Sequence, residues 1–417
     1  MNKKIELKNA GVVFALWLMI LVNYLDRVAM SFAGPAIMKS MSLTPAEFGI
    51  VLSSFGIGYC LAQIPGGLLA DKWGARALLI IGPILWAIFT GATGLVSTLA
   101  GFVIVRVCFG MSEGFSNSSV YKTIGENFES KQRARALGIC STAIALAPAF
   151  AGAFVGKLVG AYGWQTMFLL MMVPSLLVAL VNYWLIPAKP ATSLAPPVSS
   201  EPGSDEDASF RHVLGRRSLW VLSLAAFAWN IGYWGYLGWM PSYLALGRHI
   251  DLKTIGALAG IPYVFAFFGL LFGGWLGTAL HRYCPQLVVG CFLATGLSLF
   301  FAYQAETLPL ALTGLSSAAF FLFGSHGPIG KIVLDLAPER HRATYVGVFN
   351  TSGQLGGAIA PAVIGFLVSA TGTFASGFGF MIAALCVAAA CFFALIPFLA
   401  PKLLPVVSSS GKFRNKA

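Results

Sequence analysis

Long apolar runs separated by short polar ones set the rhythm of this chain. Mostly apolar stretches recur at 11–33, 48–70, 77–96, 100–121, 136–160, 166–187, 218–245, 254–280, 286–303, 308–334, 343–368 and 375–400. A helix that crosses the hydrocarbon core needs roughly 20 predominantly apolar residues, so the pattern predicts an all-α integral membrane protein with twelve transmembrane helices. The opening "MNKKIELKNAG" and the run after it could pass for a secretory signal. The run is too long for that and carries Asp26 and Arg27, so it reads as the first span. One polar interruption stands out, "AKPATSLAPPVSSEPGSDEDASFRHVLGR" at 188–216, whose Pro, Ser and acidic residues read as a linker. It divides the chain into 1–187, a six-helix bundle, and 217–417, a second bundle with a polar tail.

Composition sharpens this. Of 417 residues 57% are hydrophobic and only 10% charged, against about 25% charged in soluble domains. The net charge of +12 could suggest nucleic acid, but its placement argues otherwise. With the N-terminus inside, twenty of the 27 basic residues fall on one side and four (Lys39, Lys157, Arg248, Lys253) on the other. That asymmetry puts both termini in the cytoplasm. The remaining three, Arg27, Arg106 and Lys331, lie within spans. The seven cysteines sit in or beside apolar segments without metal-ligand spacing and are expected to be free, buried thiols.

The two halves echo each other. "RARALGI" at 133 and "RATYVGV" at 342 are 209 residues apart, as are "GKLVGAYG" at 156 and "GFLVSATG" at 365. "GGLLADKWGARALL" at 66 returns weakly as "GGWLGTALHRY" at 273. Such internal repeats characterise secondary transporters with a site at the repeat interface. "GGLLADKWGAR" resembles the loop signature of the major facilitator superfamily, its glycines allowing a tight turn. "YLDR", "GYCLAQIPGG", "RVCFGMSEG", "WMPSYL" and "ERHRATYVGVFN" resemble, more narrowly, the anion:cation symporter family. That family includes galactonate, glucarate, hexuronate and phthalate-type permeases, sialin and the vesicular glutamate transporters. The resemblance covers nearly the whole chain. It implies the major facilitator fold, a bacterial inner-membrane location, protons and a small organic anion as the transported partners, and no cofactor. A monomer is expected.

Charges inside spans mark the site. Of fifteen acidic residues only Asp26 and Glu113 fall well inside, and a charge at the bilayer centre costs about 2.5–3.5 kcal/mol even on lenient scales. Asp26 and Arg27 are adjacent, hence about 100° apart on a helix, and must find other partners. Arg106 and Glu113, seven apart, share a face. Arg presents a planar fork of donors suited to carboxylate, and a desolvated carboxyl group can carry a proton, subject to whatever occupies the neighbouring Arg. The resemblance assigns carboxylate binding to Arg27, proton carriage to Asp26 and Glu113, and the holding of Glu113 to Arg106. Tyr24, Tyr59, Gln63, Asn350 and Gln354 are the uncharged hydrogen-bonding candidates around them, Tyr59 and Gln63 forming an i,i+4 stripe.

Departures from the family pattern limit the substrate reading. Ile144 stands where galactonate-type permeases have a polar Gln, and Gly330 where they have a pocket Trp. Two readings are open for Lys331: it reaches the cytoplasmic surface, or it supplies a second cation for a dianion, with His326 nearby. The aromatic stretch "AWNIGYWGYLGW" is either packing or a wall on which a ring stacks. The leading expectation is a proton-coupled symporter importing an organic carboxylate such as a sugar acid or aromatic acid. An exporter or exchanger of the same fold is the alternative. A membrane anion sensor is disfavoured because neither linker nor tail could hold a signalling domain. A membrane enzyme is disfavoured too, since no metal cluster, nucleophile triad or P-loop is present.

Overall fold

The computed structural model describes residues 3–128, 130–188, 214–251, 254–255, 258–338 and 342–403. Most of the predicted linker and the end of the tail lie outside the described residues. Among the described residues every extended element is a helix: α1 (Lys3–Met41), α2 (Pro45–Trp73), α3 (Ala75–Thr93), α4 (Leu99–Asn127), α5 (Ser130–Leu185), α6 (Arg217–Ser242) and α7 (Ile261–Ala279), followed by α8 (Cys284–Gln304), α9 (Leu308–Gly324), α10 (His326–Leu336), α11 (Arg342–Thr371), α12 (Ala375–Ala394) and α13 (Ile396–Leu403). Helices prevail because lipid offers no partner to a backbone N–H or C=O, and a helix satisfies both internally.

Ten described segments are long and apolar enough to cross a membrane. Two places account for the difference from the twelve predicted spans. Predicted spans five and six run together as Arg135–Leu185, 51 residues, which bends at Gly163, where φ is 80°. The other is α6, where Trp and Tyr take the place of aliphatic residues and lower the hydropathy of a helix whose side chains are largely buried.

Local sequence explains the helix ends. Thr44 caps α2, its hydroxyl accepting from the Glu47 N–H at 3.3 Å, while Glu47 accepts from the Thr44 N–H at 2.8 Å. Pro45 occupies the first turn, where its missing donor is not needed. In the "GGLLADKWGAR" loop the turn between α2 and α3 is a single residue, Gly74, at φ 83°. Only a residue without Cβ adopts that conformation readily. The paired echoes "RARALGI" and "RATYVGV" occupy corresponding places, the opening turns of α5 and α11.

Helices α1 to α5 pack on one another, chiefly α1 on α5 and α2 on α4. Helices α6 to α12 do likewise, chiefly α6 on α11 and α7 on α9. The two groups meet along α2–α11, α1–α6 and α5–α7. Contact is tightest at the end of the bundle that carries the α1–α2 turn. There the Ala46 N–H donates to Ser369 Oγ and the Ala362 N–H to Ser53 Oγ, both at 2.9 Å. Within the second group, at the same end, Trp239 Nε1 donates to the Pro361 carbonyl at 3.0 Å.

All seven cysteines are free. Cys140, Cys284, Cys291 and Cys391 are buried, but Cys60 and Cys108 are half-buried and Cys386 is exposed. Burial of all seven was expected. It fails because the outer faces of a membrane bundle are as apolar as its core, so an apolar neighbourhood in sequence does not report burial.

Candidate substrate site

Helix α1 carries Asp26 and Arg27 into the middle of the bundle, and they diverge as helical geometry requires. Arg27 crosses to α4, where its Nε donates to Glu113 Oε2 at 2.5 Å. This ion pair is almost wholly removed from solvent, with side-chain exposures of 8% and 0%. Asp26 turns the other way, into the packing between α1 and the second arm of α5, where Ser175 Oγ donates to its Oδ2 at 2.8 Å. The opposite oxygens, Asp26 Oδ1 and Glu113 Oε1, are buried with no hydrogen-bond partner.

An aromatic cage surrounds the Arg27 guanidinium. The Tyr24 and Tyr59 ring centres each lie 4.8 Å from its Cζ, Phe55 lies at 5.2 Å, and Trp234 of α6 at 6.0 Å. Phe55 also faces Arg106, at 5.1 Å, and Phe109 faces Arg106 at 4.8 Å. A single ring therefore touches both guanidiniums, offering each its negative face. Arg106 is 3% exposed, and its Nε has no hydrogen-bond partner. Burying a cation costs free energy unless a partner offsets it.

Two cavities adjoin these groups. A smaller one, about 40 Å³, is bounded by Arg27, Arg106, Ser31, Phe55 and residues of α6 and α11. A larger one, about 190 Å³, is bounded by Asn23, Tyr24, Glu113, Tyr121, Ser141, Ile144 and others. Arg27, Tyr59, Trp234 and Gln354 border both. Arg27 thus stands at the junction between two chambers, with Glu113 on the wall of the larger and Trp234 and Gln354 contributed by the other group of helices.

Of the residues expected from the sequence, Tyr24, Arg27, Tyr59, Arg106, Glu113 and Gln354 come together here. Gln63, Asn350 and Lys331 border neither chamber. Gln63 is half-buried one turn beyond Tyr59, and Asn350 is exposed one turn before Gln354. Lys331 donates instead to Asp335, its i+4 neighbour on α10, and both side chains are about a third exposed (32% and 35%). The expected pairing also shifts: the carboxylate of Glu113 is held by Arg27, and Arg106 acts on it through space. Phe55 and Ser175 were not among the expected site residues, and Trp234 belongs to the aromatic stretch for which packing and a stacking wall were both open. Phe55 could have been found four residues before Tyr59 on the same helical face, whereas nothing in the sequence signals Ser175.

Comparison with known proteins agrees with this architecture. The Major Facilitator Superfamily profile matches residues 16–361. The hexuronate transporter of Bacillus subtilis (strain 168) is 28% identical over 378 residues, spanning 88% of this chain and 90% of that one. A probable L-galactonate transporter of Escherichia coli (strain K12) is 27% identical, spanning 85% of this chain and 82% of its own. Among solved structures, an inward-facing, unoccupied bacterial homologue of the human lysosomal transporter Spinster superposes with a TM-score of 0.80. That match covers 97% of this chain and 100% of that one at 19% identity, a likeness of fold. The chain belongs to the Major Facilitator Superfamily and is a multi-pass membrane transporter, not an enzyme.

Proposed function

We propose that the protein is a proton-coupled symporter that imports an organic carboxylate across the bacterial inner membrane by alternating access. The observation that carries this reading is the buried ion pair of Glu113 with Arg27, which borders both chambers, beside an Arg106 guanidinium with an unpartnered Nε. Glu113 and a substrate carboxylate are competitors for one guanidinium. When Glu113 takes up a proton it loses its charge and releases Arg27, whose fork then receives the substrate. When Glu113 gives the proton up, it reclaims Arg27 and expels the substrate. Proton and anion therefore travel together. Arg106 stays charged throughout and supplies a constant attraction. Asp26 is the second proton-carrying group, acting from the α1–α5 packing rather than from the chamber wall.

The basic-residue asymmetry places the helix ends at Met41 and Pro45 on the outer side. On that orientation the tight α2–α11 contacts seal the outer end, and the larger chamber lies on the cytoplasmic side of Glu113. The arrangement suits release of cargo inward. Relatives named for hexuronate and L-galactonate transport support an acidic sugar as cargo. The test is uptake of organic acids into proteoliposomes with and without an imposed proton gradient. Accumulation that needs the gradient is expected. Acid uptake indifferent to the gradient would refute proton coupling.

A further inference from the structure

Trp234 occupies a position that packing alone does not explain. It sits on α6, the helix whose aromatic run has two readings, and its indole is only partly buried. It borders both chambers and lies over the Arg27 guanidinium at 6.0 Å. Behind it Tyr233 packs edge-on at 5.6 Å, and Phe55 lies tilted at 6.5 Å. Across from it α11 presents Gly357, where a Cβ would overlap the indole. The neighbours thus fix this ring in place while leaving it beside the chambers.

The chambers themselves differ in what they admit. About 40 Å³ between two arginines suits a carboxylate and is too small for a ring. About 190 Å³ exceeds the roughly 150 Å³ in which an engineered protein cavity binds benzene. The larger chamber offers Asn23, Tyr24, Tyr121, Ser141 and Gln354 to hydroxyl groups. Among the described residues Arg27 is the sole basic one on its wall, and the acidic Glu113 is there too. Arg106 faces the small chamber, and Lys331, the third basic residue within the spans, is engaged by Asp335. A second carboxylate at the far end of the cargo would therefore meet no cation.

Building on the carboxylate-transport reading, we propose that Trp234 is a specificity-determining residue. Its indole is the platform for the flat face of a ring whose single carboxylate enters the small chamber between Arg27 and Arg106. The site selects cyclic, singly charged, hydroxylated acids over open-chain acids and over dianions. An indole stacks on the C–H face of a pyranose as it does on an aromatic ring, and an extended chain presents no such face.

Three probes on one carbon skeleton separate these features: D-glucuronate (ring, one charge), D-gluconate (open chain, one charge) and D-glucarate (open chain, two charges). In wild-type proteoliposomes glucuronate should half-saturate at a concentration at least fivefold below gluconate, with glucarate weakest. Trp234→Leu should raise the glucuronate value at least fivefold more than it raises the gluconate value, and Trp234→Phe should restore most of the difference. A wild type that prefers gluconate or glucarate overturns the proposal without using any variant. So does a Trp234→Leu protein that loses both monoanions equally. Those results leave carboxylate transport standing, as does a wild type that carries none of the three but imports another organic acid, which overturns this proposal alone; only a wild type that imports no organic acid refutes both readings.

Discussion

Asp26 and Arg27 are neighbours in the chain that face away from each other. Asp26 accepts from Ser175 on the far arm of α5, and Arg27 donates to Glu113 on α4. Two opposite charges placed side by side thus serve two different helix contacts. The separation makes their contributions separately measurable.

Arg27→Lys should abolish substrate binding in a folded protein. Lysine keeps the charge but loses the planar fork, and it leaves both Glu113 and the incoming carboxylate underpaired. Truncating one partner of a buried charge pair costs about 2–5 kcal/mol, so affinity measured by calorimetry should fall at least about tenfold. Wild-type affinity in the lysine variant would remove Arg27 from the site.

Glu113→Gln carries the competition argument. A neutral amide imitates the protonated acid, so Arg27 is always free for substrate. The variant should bind and exchange substrate, with an affinity that no longer weakens as pH rises. Gradient-driven accumulation should vanish, because no proton is released on the inner side. Counterflow and uptake assays on the same liposomes distinguish these, and accumulation at the wild-type level would show that coupling resides elsewhere.

Ser175→Ala isolates Asp26. The change leaves a buried carboxylate without its hydroxyl donor, a loss of about 1–3 kcal/mol for the charged form. Since Asp26 borders neither chamber, substrate affinity at a fixed low pH should stay within twofold. The pH at which transport is half-maximal should move. A variant with an unchanged pH profile would argue that Asp26 has only a packing role.

How much of this was legible in the sequence follows from cost. Arg27, Arg106 and Glu113 announced themselves because charge inside an apolar run is expensive enough to need a reason. Tyr24 and Tyr59 followed because they lie one turn or one helix away. Trp234 and Phe55 did not, since an aromatic residue in a membrane helix is as well explained by packing, and only the chambers decide. Asn350 and Gln354 differ by one helical turn, yet one is exposed and the other lines both chambers. That distinction depends on where α11 meets α2, which no local pattern encodes. For Lys331 the sequence does carry the signal: Asp335 lies four residues on, the spacing of a helical ion pair.

Lys331→Met should accordingly be mild. Partly exposed ion pairs contribute about 0–1 kcal/mol, and this one borders neither chamber. Transport of mono- and dicarboxylates should change by less than about threefold, in parallel. A selective loss of a dicarboxylate would instead place Lys331 within reach of cargo.

Gly49→Val tests the closed end of the bundle. Gly49 on α2 faces α11 so closely that a Cβ would lie 2.6 Å from the Pro361 carbonyl oxygen, and Gly365 faces Pro45 in the same way. A branched side chain cannot fit, so the state with α2 and α11 in contact is disfavoured relative to one in which they part. An alternating-access protein needs both states, and transport should fall at least about tenfold, equivalent to about 1.4 kcal/mol. The shift can be read directly in a variant lacking the native cysteines. A cysteine at Ser53, which is 5% exposed and accepts from Ala362 in the contact state, should react faster with a membrane-impermeant maleimide once Gly49 is Val. Unchanged transport together with an unreactive Ser53→Cys thiol would mean that this contact is not what closes the outer end.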